Sequence, residues 1–213
     1  MLTGSVAHDF NNLLTMINAH AESALEETSP NSEAAKDLNS ILQITGKAAA
    51  LTSQLLAFLR RTPTQEKPIN VNYLVEQSTT LYKRLLGEKV KLTTRLESGV
   101  QPVMADVARF EQVLVNLLVN AKEAMPQGGL VLIATSMAAG CLCLQVSDNG
   151  PGMDFETKSR VFEPFFTTRE QDGGTGIGLA TVARIVRDGG GTIHLETSPG
   201  KGATFTIYWP VAR

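Results

Sequence analysis

His8 is followed directly by Asp9, and Asn12 lies four residues further on. On a helix His8 and Asn12 fall one turn apart on a single face. An imidazole with a pKa near ~6.5 is largely neutral at pH 7 and is a competent nitrogen nucleophile. A neighbouring carboxylate can orient it and take its proton as a bond forms. A second pair, Asn116 and Asn120, interrupts the apolar helical run within Glu111 to Ala121. Amides are costly to bury unpaired. Such a pair marks either a satisfied polar clasp or a metal–phosphate site, since amide oxygens suit a hard cation such as Mg²⁺ that leans on phosphates. Asp148-Asn149-Gly150-Pro151-Gly152-Met153 ends another apolar run. Its glycines allow close backbone approach to a ligand, and an aspartate there can accept a hydrogen bond from an exocyclic amine. Gly173-Gly174-Thr175-Gly176-Ile177-Gly178-Leu179 opens a helix, where successive N–H groups cradle phosphate. It is neither a Walker loop nor a dinucleotide fingerprint. Between the two glycine strings, Phe162-Glu163-Pro164-Phe165-Phe166-Thr167-Thr168-Arg169 is aromatic at one end and polar at the other, as a hinged lid or a packed loop would be.

Those residues need elements to hold them. Val6, Phe10, Leu13, Leu14, Ile17, Ala21 and Leu25 recur at helical spacing and place His8 and Asn12 on the solvent side. Residues 26–31 break the pattern, and Ser32 with Glu33 reads as the start of a second helix. Its stripe runs from Leu38 through Leu55, Leu56 and Leu59 and stops before Pro63. A lone hairpin cannot bury both flanks, so the two helices are expected to pair with a second copy as a four-helix bundle. Further on, the spacing predicts a short strand at 69–71, a helix from a cap at Asn72 to Leu86, and strands at 89–96 and 101–104. A helix is expected over 106–125. Strands follow at 130–137 and 141–146, joined by a turn at Ala139-Gly140. A helix over 177–187 and a hairpin of 192–197 and 203–208 complete the chain. Helices and strands mix without strict alternation, which predicts an α+β two-layer sandwich rather than a doubly wound sheet. Domain boundaries are expected at 1–66 and 67–213, joined by a mobile linker from Thr62 to Pro68.

Composition narrows the classes. The chain has 213 residues, is 43% hydrophobic and 19% charged, and has a net charge of -2. That excludes wholesale disorder, and the lack of a global basic field argues against nucleic acid as a partner. No apolar run reaches ~18 residues, so no direct membrane contact is expected. Cys141 and Cys143 lie two apart in an alternating run, which reads as free thiols in a reducing, cytoplasmic compartment rather than a disulfide. Residues 1–66 carry 4 basic and 7 acidic side chains, a net of -3. No secretory signal opens the chain, which starts almost inside a patterned helix, as a fragment of something longer would.

In order and spacing these motifs closely resemble the core of a two-component sensor histidine kinase, over essentially the whole chain. Val6 to Leu14 resembles the H box, in its H-D-F-N-N form, and Asn116 to Ala121 the N box. Asp148 to Met153 resembles the first glycine box, Phe162 to Arg169 the F box, and Gly174 to Leu179 the second glycine box. Gly200 to Phe205 resembles the terminal G-x-G-x-x-F element. The resemblance implies a dimerisation and phosphotransfer domain followed by a Bergerat-fold ATP-binding domain. It implies ATP and Mg²⁺ as cofactors, autophosphorylation of His8 with Asp9 beside it, and transfer to a response-regulator receiver domain. Asn120 is then the Mg²⁺ ligand, with Asn116 a turn away. Asp148 holds the adenine amine with support from Thr204. Gly150, Gly152, Phe162, Thr167, Thr168, Arg169, Gly174, Thr175, Gly176, Ile177, Gly178 and Leu179 line the nucleotide and its lid. Many family members carry a base three residues after the second asparagine. Here Glu123 stands there, so phosphate neutralisation falls to Lys122 or Arg169. Asn12, one turn beyond the histidine, implies a phosphatase activity as well. Hydrolases of the same fold, resembling gyrase, the heat-shock chaperone ATPase and the mismatch-repair ATPase, place a glutamate where this chain has Asn116. An amide cannot act as a general base, and this, with His8, weighs against a hydrolase. A non-catalytic dimeric nucleotide-binding scaffold is the remaining alternative.

Overall fold

The computed structural model describes residues 2–59, 65–169 and 174–212, with side chains except those of 2–11, 47 and 50–59. The chain divides into two compact units, Met1–Thr62 with Arg169–Ile177, and Pro63–Thr168 with Gly178–Arg213.

The first unit is built on helices α1 (Leu2–Glu26) and α2 (Glu33–Leu59), which pack on each other. Ser32 Oγ accepts a hydrogen bond from Ala35 N at 3.0 Å and caps α2, with Glu33 in the first turn. That satisfies an otherwise unpaired N–H and suits the positive end of the helix dipole. Leu14, Ala21, Ala35 and Thr45 are buried. The Thr45 hydroxyl, held by its own helix through the Ile41 carbonyl at 2.9 Å, also bonds Asn18 Oδ1 across the pair. Leu55 and Leu56 lie outside the described side chains.

The second unit is an α+β sandwich. Its elements are β1 (Lys67–Ile69), α3 (Val71–Leu86), β2 (Val90–Leu96), β3 (Val103–Ala105), α4 (Val107–Ala124), β4 (Gly129–Ala138), β5 (Cys141–Asp148), α5 (Phe155–Arg160), α6 (Gly178–Asp188), β6 (Thr192–Thr197) and β7 (Ala203–Pro210). Five strands form a mixed sheet in the order β2-β4-β5-β7-β6, and β1 pairs with β3 apart from it. β2 runs parallel to β4, and the other pairs of the large sheet are antiparallel. Strand alternation sends Leu142, Leu144, Val146, Phe205, Ile207 and Trp209 into the core. Their partners there include Phe110, Leu114, Leu117 and Leu118 of α4 and Val182, Ile185 and Val186 of α6.

Several expected boundaries move for local reasons. The strand expected at 69–71 ends at Ile69, because Asn70 is extended and its side chain accepts from Tyr73 N at 3.1 Å as the cap of α3. Asn72, expected as that cap, instead donates to the Glu97 carbonyl at 2.8 Å and accepts from Thr135 Oγ1 at 2.6 Å. Ala139 and Gly140 both take positive φ, 49° and 75°, as a tight hairpin turn requires. α5 was not expected. Its six residues bury nothing and so give no apolar stripe, leaving only the Asp154 cap, which accepts from Thr157 N at 2.8 Å. Cys141 and Cys143 are free thiols on one strand.

Candidate functional site

Asp148 ends β5 with its side chain on the same face as Leu144 and Val146, toward the helices. One carboxylate oxygen, Oδ1, accepts from Gly150 N at 2.8 Å and from Ala203 N at 3.3 Å. Among the described residues Oδ2 has no hydrogen-bond partner, so it is the oxygen left for a donor on a ligand. Burial pushes this carboxyl above the ordinary aspartate range, and the two N–H donors pull it part of the way back. An acceptor aimed from a strand end, with one oxygen already fixed, suits an exocyclic amine.

The loop after Asp148 is tied on both sides. Asn149 Oδ1 accepts from Leu130 N at 2.7 Å, which continues the β4–β5 ladder by a side chain. On the other side Gly200 N donates to the Pro151 carbonyl at 2.6 Å. Gly152 and Gly202 have φ of 68° and 70°, and a Cβ on either would collide with backbone, the Ser198 carbonyl at Gly152 and the Asp148 carbonyl at Gly202. Both positions therefore require glycine.

Thr204 does not join Asp148. In the register Asp148 faces Ala203 while Thr204 faces Ser147, so Thr204 points to the opposite side of the sheet, where its hydroxyl donates to Ser147 Oγ at 3.0 Å. The polar support of Asp148 comes from the Ala203 backbone instead. Alternation along a strand is strict, and a shift of one residue exchanges faces.

On α4, Asn116 and Asn120 lie one turn apart, both half-buried. Asn116 Nδ2 donates to the carbonyl of Gly178, the first residue of α6, at 3.3 Å. This leaves the two amide oxygens as the donor set, with no carboxylate between them. Among the described residues no group of three His, Cys, Asp or Glu side chains is placed to hold a metal. A hard cation that keeps its waters and leans on phosphates fits this set. Glu123 is exposed one turn beyond. Lys122 is rotated away from the asparagines, and its ammonium donates to the Leu85 carbonyl at the end of α3 at 2.6 Å. It caps a helix rather than facing the asparagine pair.

Phe162 packs edge-on against Phe205, ring centroids 6.3 Å apart, and anchors the start of the 162–169 segment in the core. Phe165, three residues on, is exposed with φ of 69°. Thr167 is half-buried and Thr168 exposed. Arg169, Gly174, Thr175, Gly176 and Ile177 belong to the helical unit. Within that unit Gly174 N donates to the Arg169 carbonyl at 2.9 Å, and Thr175 Oγ1 accepts from Ile177 N at 3.4 Å. Gly178 and Leu179 begin α6, with Leu179 buried. His8 and Asp9 lie on α1, and their side chains fall outside those described. Asn12 is exposed.

Asn149, Ala203 and Thr197 were not anticipated. Backbone N–H donors leave no trace in a sequence, and a threonine at a strand end before Ser-Pro-Gly looks like any other.

Residues 105–213 match the family described as histidine kinase-, DNA gyrase B-, and HSP90-like ATPase. Over 98% of its length the chain is 36% identical to the sensor kinase CckA of Brucella abortus (strain 2308), of which it covers 24%. In structure it is similar to full-length ShkA crystallised in complex with AMPPNP, with a TM-score of 0.79 and 26% identity over 99% of this chain and 45% of that one. It is also similar to the histidine kinase ThkA in complex with the response regulator protein TrrA, with a TM-score of 0.71 and 25% identity over 99% and 61%. The chain spans between 24% and 46% of the length of the first curated relatives it matches.

Proposed function

The chain belongs to the family of histidine kinase-, DNA gyrase B- and HSP90-like ATPases, and we propose that within it the chain acts as an ATP-dependent protein-histidine kinase. The observation that carries this reading is Asn116. Its amide donates to the Gly178 carbonyl, and an amide has no basic lone pair with which to activate water. A hydrolase of this fold would lack its base, whereas a kinase needs only positioning and charge neutralisation.

In this reading Asp148 Oδ2 accepts the adenine amine. The amide oxygen of Asn120, with Asn116 beside it, would hold Mg²⁺, which would supply neutralisation of the phosphate charge. Gly174, Thr175, Gly176, Ile177 and Gly178 line the phosphates at the start of α6. Phosphate neutralisation is assigned to Lys122 or Arg169, of which Lys122 donates to the Leu85 carbonyl. The neutral imidazole of His8 attacks the γ-phosphorus. The nitrogen–phosphorus bond forms as the bond to the β-phosphate oxygen breaks, ADP leaves, and Asp9 takes the imidazole proton. The phosphoryl group then passes to an aspartate of a response regulator. The likeness to ThkA solved with a response regulator supports that partner class. Asn12, exposed on α1, is assigned to orient water against the regulator's phosphoaspartate, which makes the enzyme a phosphatase as well.

A homodimer through the helical unit is part of the proposal. Leu13, Met16, Ile17, Ile41 and Ile44 are 40–62% exposed in the single chain, which supports a second copy covering them. No described helix is long and apolar enough to cross a membrane, and the reaction is assigned to the cytoplasm.

The test is incubation with γ-labelled ATP and Mg²⁺. Label bound to the chain, labile in acid and stable in base, is expected. Release of labelled inorganic phosphate with none on the chain would favour the hydrolase instead.

A further inference from the structure

The carboxylate assigned to adenine is held by two N–H groups from separate segments, Gly150 in the loop after β5 and Ala203 at the start of β7. The position of Oδ2 therefore depends on how those segments sit relative to each other. A single side chain also ties them together. Thr197, the last residue of β6, accepts from Met153 N at 2.9 Å and donates to the Gly202 carbonyl at 2.7 Å. One hydroxyl thus joins the loop to the residue before Ala203. Around it the two segments interlock. Gly200 N donates to the Pro151 carbonyl at 2.6 Å, and neither Gly152 nor Gly202 has room for a Cβ. Thr197 itself is half-buried and lies on the edge strand of the sheet.

We infer that Thr197 is a positioning residue for adenine recognition: its hydroxyl pins the loop Gly150–Met153 to the β6–β7 turn and so fixes where Asp148 presents its second oxygen. Without the hydroxyl, Met153 N and the Gly202 carbonyl lose their shared partner. The turn can then shift against the loop, which lengthens the 3.3 Å bond from Ala203 N to Asp148 Oδ1. The phosphate-binding residues are held by other contacts, such as Asn116 on Gly178. The consequence is selective. A nucleotide that presents an amine to Asp148 loses affinity, and one that presents a carbonyl there does not. The inference rests on the assignment of Asp148 to adenine, and its test separates the two.

ATP and GTP affinities are measured by calorimetry for the wild type, Thr197→Val, Thr197→Ser and Asp148→Asn. Valine keeps the shape and β-branching and removes the hydroxyl, while serine keeps the hydroxyl. Thr197→Val is expected to weaken ATP binding roughly five- to tenfold, as the loss of one well-placed hydrogen bond does, with GTP binding unchanged within about twofold. Thr197→Ser is expected to restore ATP affinity to within about twofold. Equal weakening for both nucleotides would reduce Thr197 to a structural role and overturn the inference. So would a folded Thr197→Val with unchanged ATP affinity. If Thr197→Val does not fold, Thr197→Cys, with its weak donor and acceptor, carries the same comparison. Unchanged ATP affinity in Asp148→Asn would instead remove Asp148 from the adenine site, and the inference with it. Weakened Asp148→Asn beside unaffected Thr197→Val would overturn the Thr197 step alone.

Discussion

Holding Asp148 as a carboxylate costs the folded chain. Burial raises its pKa, so the neutral acid is the form the fold favours. Its contribution to stability is complete below the unfolded pKa, near ~4, and is lost as pH rises through the raised folded value. Asparagine keeps an oxygen for Gly150 N and Ala203 N and carries no charge to desolvate. The Asp148→Asn variant should therefore melt above the wild type at pH 7, the two midpoints converging below about pH 4, as calorimetry across that range would show. The same change should weaken ATP binding roughly ten- to a hundredfold, the worth of a hydrogen bond to a charged acceptor. At this scale the sequence was an uneven guide. A strand ending in Asp-Asn-Gly-Pro-Gly reads first as a turn, and only its order among the other motifs points to a ligand; Gly152 is itself required by the nearby Ser198 carbonyl. Thr204 misled, since which of two adjacent strand residues faces a site depends on the register with the neighbouring strand, and one chain's own alternation does not settle it. Lys122 misled for a related reason. Its nearness to Asn120 in sequence counts for less than the rotation of about 100° per residue that aims it at α3.

Elements with a long, one-sided apolar pattern were legible. α4 has six fully or nearly fully buried residues on one face, and the helix expected over 106–125 runs Val107–Ala124 with Asp106 as its cap. Asp106 accepts from Arg109 N and Gln65 N, both at 3.1 Å. The Arg109 N–H foremost, with Gln65 N in support, holds its carboxyl below the usual range. For a lowered pKa the stabilisation is present above the unfolded value and is lost as pH falls through the folded one. Asp106→Ala should cost about 1 kcal/mol at pH 7, a fall in melting temperature of roughly 2–4 °C. The gap to the wild type should close on acidification below about pH 4, with ATP affinity unchanged throughout. Short elements were legible only in part: the three-residue strands β1 and β3 lie a residue or two from where they were expected, and α5 was missed. α5 buries no residue, and β2 reads as a strand but says nothing of its parallel pairing with β4, which is fixed by contacts across the sheet.

At the scale of the whole molecule, the apolar pattern of α1 and α2 leaves surface that one copy does not cover. Ile44 is 62% exposed and Leu13 53%. Each such side chain contributes roughly 1.5–3 kcal/mol when fully buried, so several per chain favour association strongly. Light scattering at micromolar concentration should give twice the chain mass of 22.9 kDa, and Ile44→Asp should give the single chain. A wild type at the single-chain mass would contradict the four-helix bundle. The central claim, that this chain phosphorylates its own histidine, is tested most directly by comparing labelling from γ-labelled ATP in the wild type and in His8→Ala. The account predicts acid-labile label on the wild-type chain and none on the variant, with the variant's ATP affinity retained. Equal acid-labile label on both chains would contradict it.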